Sequence, residues 1–350
     1  MSFDIIQAGK GKPQNIESGA NEIISGGQIE YRLLGRTGLS VSAVGFGCGS
    51  TGGLFVRGSS EAQRAAVSCA IEGGINYFDT AAQYGNGRSE ANLGRTLSDL
   101  GASPYLGTKL HLFPNEIPDV TRIIRRKLTK SLRRLGYERI DVCTLHTRVG
   151  SGANELPGSD VVGPVADAMA ELVSAGLAGA IGFTGLGETK ELHLVASSGR
   201  FDVFQCYYNL LNQSASIPGS PDGVSQDFEG LLNLATDRGT GSVGIRVLAG
   251  GALAGGESRH PLAGPIGNPM AKGEGYGADL RRATKYLGYL CEMGVSSLAE
   301  LAYRFAFTNQ RISTVLGGFS DKTQVDQCLE FASRGPLPEG SIAELMRLAI

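Results

Sequence analysis

No apolar run in this sequence approaches the roughly 20 residues that a membrane-spanning helix needs, so no span is expected. A strong charge of either sign is also missing. Lys and Arg number 32 against 34 Asp and Glu, a net charge of −2. A chain so balanced has no overall field to draw it to nucleic acid or to an anionic membrane, and neither is expected as a partner. The six cysteines (Cys48, Cys69, Cys143, Cys206, Cys291 and Cys328) lie far apart, with no C-x-x-C pair and no metal-ligand spacing. No metal site is therefore expected. With no secretory signal in the sequence, the expectation is buried, reduced thiols in a cytoplasmic protein. A composition break that would mark a second domain is absent too.

What is present is an ordinary globular balance, 41% hydrophobic and 19% charged, which allows a sizeable core. The 52 glycines fall in many short clusters, a pattern of tight turns and close backbone approaches. Residues 1–29 are polar and aperiodic, and read as a mobile extension; residues 30–350 read as one folded unit. A hairpin is expected at its start, with YRLLG and LSVSAV flanking a turn at Arg36-Thr37-Gly38.

From there the chain alternates. β-rich runs stand at 41–47, 75–80, 105–110, 140–145, 178–183, 201–206, 241–247 and 313–318, separated by helical patterns. In the clearest helix, 119–135, Val120, Ile123, Ile124, Leu128, Leu132 and Leu135 recur at helical spacing and Gly136 follows as a stop. Eight strands alternating with helices predict an α/β protein, a (β/α)8 TIM barrel with an N-terminal β-hairpin. The segments after strands are long (146–158, 207–226, 249–277) and those before them short, which places the site on the carboxyl face. The seven Arg and Lys residues of helix 119–135 read as a solvated outer face, since no aromatic residues interleave with them.

Gly47-Cys48-Gly49-Ser50-Thr51-Gly52 matches G-x-G-x-x-G after a predicted strand. In a dinucleotide-binding Rossmann unit a helix opens at once, because its N-terminus holds the pyrophosphate. Here Gly53-Leu-Phe-Val-Arg-Gly58 intervenes before the N-cap candidates Ser59 and Ser60, so the glycines are expected instead to let backbone approach a ligand.

Four groups with complementary proton chemistry stand at or just past the ends of three successive strands: Asp79 and Tyr84, Lys109, and His146. Ends of neighbouring barrel strands converge in space. Carbonyl reduction needs a hydride donor and a proton donor for the developing alkoxide. A tyrosine with its ordinary pKa of about 10 relays protons poorly near neutrality unless a cation favours the phenolate. Lys109 can supply that cation, Asp79 can hold Lys109 in place, and His146 can orient the carbonyl oxygen.

The run FDTAAQYGNGRSEANLG, the Thr108-Lys109 pair and the Leu145-His146 pair resemble the aldo-keto reductase superfamily, and the resemblance extends from about Tyr31 to about Leu329. It implies an NAD(P)(H)-dependent oxidoreductase with Tyr84 as acid/base, Asp79 and Lys109 as its tuning pair, and His146 orienting the substrate. It also implies cofactor contacts. Gly47, Cys48 and Gly49 would border the nicotinamide ribose, with Asp79 beside them. Gln205 would hold the carboxamide, Leu248, Ala249 and Gly251 would cover the pyrophosphate, and Gly318, Ser320, Lys322 and Gln324 would meet the adenosine end.

Three positions depart from the family pattern. Thr184-Gly185 stands for the usual Ser-Asn, Ile245-Arg246 for an aromatic residue stacked on the nicotinamide, and Cys328 for an Asn near the adenine. These predict altered cofactor affinity rather than lost chemistry. NADP or NAD would serve, because no Arg stands near Ser320 to clamp a 2′-phosphate bidentately. GFGCGSTGGLF with IGFTGLG is most similar to the branch that oxidises sugars at C1, the L-galactose and D-threo-aldose dehydrogenases, so the expected substrate is a small carbonyl compound or a sugar. The competing expectation is a cofactor-sensing regulatory subunit of the same fold with little turnover.

Overall fold

The computed structural model describes residues 29–217, 224–256, 258–265, 269–270, 275–338 and 340–349. The expected mobile extension, up to residue 28, lies outside the described residues; Ile29 is buried in the core.

Strand β1 (Tyr31–Leu33) pairs antiparallel with β2 (Ser40–Ser42), Tyr31 opposite Ser42. The connection needs Gly38 at φ 75°, a left-handed conformation that costs glycine nothing. This hairpin closes the amino end of the barrel. Leu34 is fully buried against Val41, Tyr77, Val142, Val203 and Leu316, and the Arg36 N–H donates to Gly239 O at 2.9 Å.

The next eight strands are β3 (Val44–Gly47), β4 (Tyr77–Asp79), β5 (Tyr105–Leu110), β6 (Ile140–Leu145), β7 (Ala178–Thr184), β8 (Val203–Tyr207), β9 (Gly241–Ile245) and β10 (Thr314–Gly318). They form a closed, all-parallel barrel in the order β10-β3-β4-β5-β6-β7-β8-β9. Every one falls within or overlaps a β-rich run of the sequence. The expected run at 41–47 is divided: Ser40–Ser42 belongs to the hairpin and Val44–Gly47 to the barrel.

The helix Val120–Leu135 buries the six apolar residues that announced it. Gly136, at φ 76°, ends it with its N–H on Leu132 O at 2.8 Å. Five cysteines are buried and free, whereas Cys291 is exposed, which corrects the expectation for that one thiol. Among the described residues no helix is long and apolar enough to cross a membrane.

Candidate active site

Strand β4 ends at Asp79, β5 carries Lys109 one residue before its end, and His146 directly follows β6. Asp79 pairs in register with Gly107, and Lys109 with Thr144. Side chains alternate along a strand, so Gly107 and Lys109 share the face of Asp79 and look into the barrel.

There Lys109 Nζ donates to Asp79 Oδ1, and to Thr80 O at 2.8 Å. From across the barrel Gln205 Nε2 donates to Asp79 Oδ2 at 2.8 Å. Both ions are deeply buried, Asp79 3% and Lys109 2% exposed. Lys109 Nζ lies 5.1 Å from the centre of the Tyr84 ring. The His146 ring meets that of Tyr84 edge to face, with centroids 5.9 Å apart and planes at 87°. The structure thus brings together all four residues that the sequence nominated.

Tyr84 is aimed by the turn between β4 and the helix Arg88–Leu100. Gly85, Asn86 and Gly87 all take positive φ there. Ser89 Oγ shares a 2.8 Å hydrogen bond with Thr80 Oγ1 and donates to Cys48 O, also at 2.8 Å. Glu90, fully buried, accepts from Thr108 Oγ1 and from Arg134 Nε, each at 2.6 Å. Sequence reasoning missed this clamp between the turn, β5 and a neighbouring helix. The available signal was an acid between the turn glycines and Leu93, on the helix side that the core must cover.

Electrostatics separates the four groups. Burial lowers the Lys109 pKa, but Asp79 and Tyr84 raise it further, so Lys109 stays a cation. For Tyr84, burial raises the pKa and Lys109 opposes it; the balance lies above the ordinary value. The expected depression of Tyr84 is therefore corrected. Lys109 pulls in the expected direction, desolvation outweighs it, and the phenol keeps its proton at neutrality. Burial, Lys109 and His111 together push His146 down to about 3, so its imidazole is neutral. It can hydrogen-bond a polar oxygen without competing as an acid.

These groups open on a cavity of about 470 Å³, within the usual range for a small-molecule site. Asp79, Tyr84 and His146 line it, with Gly47, Gly49, Thr184 and Gln205 from the strand ends. Ile245, Arg246, Leu248 and Gly251 line it from β9 and the segment after it, Gly318 from the end of β10, and Ser320 and Gln324 from the segment and helix that follow. Lys109 does not line it. Cys48, Gly185, Ala249 and Lys322 do not line the cavity. Lys322 instead pairs with Asp326 at 2.6 Å.

Thr51 and Gly52, from the glycine run expected to approach a ligand, also line the cavity, as do residues the sequence reading passed over: Tyr207, Arg259 and His260. Tyr207 was legible, since it stands two residues beyond Gln205 on the same strand face. Its ring lies 5.3 Å under the Arg246 guanidinium. Arg259 and His260 sit in a loop with no periodicity to announce them.

The glycines near Gly47 bring backbones together. A Cβ on Gly52 would stand 2.6 Å from Gly318 C and from Phe319 N, and Ser320 Oγ donates to Gly52 O at 2.6 Å. One expectation here is corrected. A helix does follow, Leu54–Arg57, but it is a single turn entered through Gly53 at φ 84°, on a closed barrel rather than an open sheet. At the start of the helix Lys322–Ser333, Asp321 caps by accepting from Gln324 N at 2.9 Å. The donor set suits a nicotinamide dinucleotide. Thr184 Oγ1 is buried in the cavity wall without a partner among the described residues, and Gly250 and Gly251, both at positive φ, line the same cavity.

Comparison with known proteins agrees. The model of the Aldo/keto reductase family matches residues 43–350. The chain is 29% identical to L-galactose dehydrogenase of Arabidopsis thaliana over 307 residues, covering 86% of this chain and 87% of that protein. It is 26% identical over 338 residues to a D-threo-aldose 1-dehydrogenase of a Pseudomonas species, covering 88% and 94%. Among solved structures, the holo form of an aldo-keto reductase from Bacillus halodurans superposes with a TM-score of 0.69 at 24% identity, covering 92% of this chain and 97% of that one. With a family match over nearly the whole barrel and the barrel itself closed, this chain belongs to the aldo/keto reductase family of NAD(P)-dependent oxidoreductases.

Proposed function

We propose that this protein interconverts a carbonyl and an alcohol on a small substrate, an aldehyde, a ketone or an aldose at C1, using NADP or NAD. The observation that carries the reading is the buried Lys109–Asp79 pair directly beneath Tyr84, with His146 facing the same cavity. The likeness to an L-galactose dehydrogenase and a D-threo-aldose 1-dehydrogenase supports the choice of sugars.

A bound nicotinamide supplies or accepts the hydride. The chain's residues do the rest. His146, neutral, hydrogen-bonds the substrate oxygen and fixes its approach. Tyr84 gives its proton to the developing alkoxide in reduction and recovers it in oxidation. Lys109 stabilises the phenolate left behind, and Asp79 keeps Lys109 charged and in place. Gly47, Gly49, Thr184 and Gln205 would hold the nicotinamide half, Leu248 and Gly251 the pyrophosphate, and Ser320 and Gln324 the adenosine half.

The test is to mix the purified protein with each cofactor and a panel of carbonyls and aldoses while following nicotinamide absorbance. Turnover of at least one substrate, lost in Tyr84→Phe, is the expected result. Tight cofactor binding with no turnover on any substrate would overturn it in favour of cofactor sensing.

A further inference from the structure

Besides Thr184 Oγ1 in the cavity wall, three hydroxyl oxygens inside the barrel have no hydrogen-bond partner among the described residues: Tyr77 Oη, Thr144 Oγ1 and Thr314 Oγ1. Tyr77 and Thr314 are 0% exposed and Thr144 1%. All three lie on the inner face. Tyr77 stands two residues before Asp79, Thr144 pairs with Lys109, and Thr314 contacts the inner side of Gly45. Native interiors rarely leave such groups bare; where protein offers no partner, ordered water does.

Tyr77 is the one aimed at the reacting groups. A Cβ on Gly107 would stand 2.6 Å from Tyr77 Oη and 3.1 Å from Asp79 Oδ2. The two oxygens therefore face a common point on the inner wall, at a position where the chain presents no side chain. They do not bond directly. The Tyr77 ring is also confined on its other side, since a Cβ on Gly45 would stand 3.2 Å from Tyr77 Cδ1. Its hydroxyl is thus held facing the carboxylate. Asp79 Oδ1 takes the Lys109 ammonium and Oδ2 takes Gln205, but a carboxylate oxygen accepts more than one hydrogen bond.

We propose that Tyr77 is a positioning residue for the reaction: through ordered water in the layer that Thr144 and Thr314 also face, its hydroxyl donates to Asp79 and keeps that carboxylate ionised and fixed under Lys109. The inference deepens the proposed function and rests on the Asp79, Lys109 and Tyr84 roles given there. The charged and titratable groups around it are few. Asp79 and Asp141 are the charges that act on Tyr77. Lys109, Tyr84 and Cys48 surround Asp79, with Gln205 a neutral donor.

The consequence has a sign. Without the Tyr77 hydroxyl, the Asp79 anion is less supported, Lys109 is held less firmly as a cation, and the Tyr84 phenolate is less favoured. Tyr84 then titrates at higher pH.

Tyr77→Phe keeps the ring and removes only the hydroxyl. The expected result is a kcat/KM profile whose Tyr84-dependent limb moves to higher pH, in reduction and oxidation alike. Oxidation at neutral pH should fall by about tenfold, the scale of one hydrogen bond to a charged group. Cofactor Kd, read by fluorescence titration, should stay within about twofold of wild type, since Tyr77 is not in the cavity wall. A purely packing role would instead lower stability and leave the profile superimposable, which overturns the proposal. An atomic-resolution crystal structure of the wild type supplies a second reading. Density for water within hydrogen-bonding reach of both Tyr77 Oη and Asp79 supports the inference, and a dry contact sinks it. That reading decides the matter even if no substrate turns over, so failure of the proposed function and failure of this inference remain distinct.

Discussion

Two parts of the cavity are built on different principles. The floor comes from strand ends: Asp79, Lys109 and Gln205 belong to β4, β5 and β8, all are nearly inaccessible, and Lys109 and Gln205 both bond to Asp79. The opposite rim comes from the segments after β9 and β10, where Arg259, His260 and Ser320 reach the cavity from loops or a helix start. There His260 meets Asp321 at 3.4 Å, and Lys322 is 52% exposed. Contacts in the floor are desolvated and mutually dependent; those in the rim are screened and separable. Substitutions in the floor should be severe and non-additive, and those in the rim mild.

The hardest test of the floor is Lys109→Met. It leaves the Asp79 carboxylate buried without its cation, so stability should fall by about 3–5 kcal/mol and activity should nearly vanish. Adding Asp79→Asn should restore much of the stability and none of the activity, because the orphaned charge is gone while the cation is not replaced. Denaturant titrations of the two single variants and the double variant check it. Strict additivity would show that the pair is not a unit.

Tyr84→Phe comes next. Turnover should drop by about 10²–10⁴-fold, the usual contribution of a general acid, with cofactor Kd nearly unchanged. Activity within a few-fold of wild type would assign the proton step elsewhere.

His146 should give a smaller effect on catalysis and a distinct one on stability. His146→Ala is expected to lower kcat/KM by about 10²-fold through lost orientation of the oxygen. Its imidazole is held at about 3 in the folded chain against an ordinary 6.5. The unfolded chain therefore binds the extra proton first as pH falls. The stabilising contribution is present above 6.5 and is lost progressively as pH drops below it. His146→Gln should flatten that decline in a plot of Tm against pH. An unchanged decline would mean that His146 is protonated freely in the native state.

The same contrast explains how much was legible in the sequence. Strand positions were readable because short β-rich runs alternate with a helical period, and strand-end residues converge whatever the loops do. The positions of Asp79, Lys109 and His146 therefore followed from the strands alone. Tyr84 needed the turn Gly85-Asn86-Gly87 as well, and the motif around it carried that information. The direction of its pKa was misjudged, because desolvation depends on the whole packed environment rather than on the nearest charge. Glu90 was missed because an acid in a helix ordinarily faces water. At the rim, Arg259 and His260 have no periodicity to place them.

The smallest expected effect lies at the rim, and it sharpens the comparison most. Lys322 is expected from the sequence at the adenosine end, where a 2′-phosphate would need a cation, yet its ammonium pairs with Asp326 one helical turn on, outside the cavity wall. Asp326 in turn accepts from the Cys69 thiol at 2.8 Å, so the carboxylate is anchored while the lysine is the movable partner. To reach a phosphate, Lys322 must leave an ion pair that water already weakens, and the net gain is small. Lys322→Ala should therefore lower NADP affinity by less than about fivefold and leave NAD affinity unchanged, and Asp326→Asn should raise NADP affinity by a similar factor by freeing the lysine. Fluorescence titration of both nucleotides against the three proteins measures it, and salt should erase the difference, because exposed charges are screened within about 8 Å at physiological ionic strength. A loss of a hundredfold or more in Lys322→Ala would mean that the rim, like the floor, is a desolvated site, and the distinction between the two would fall.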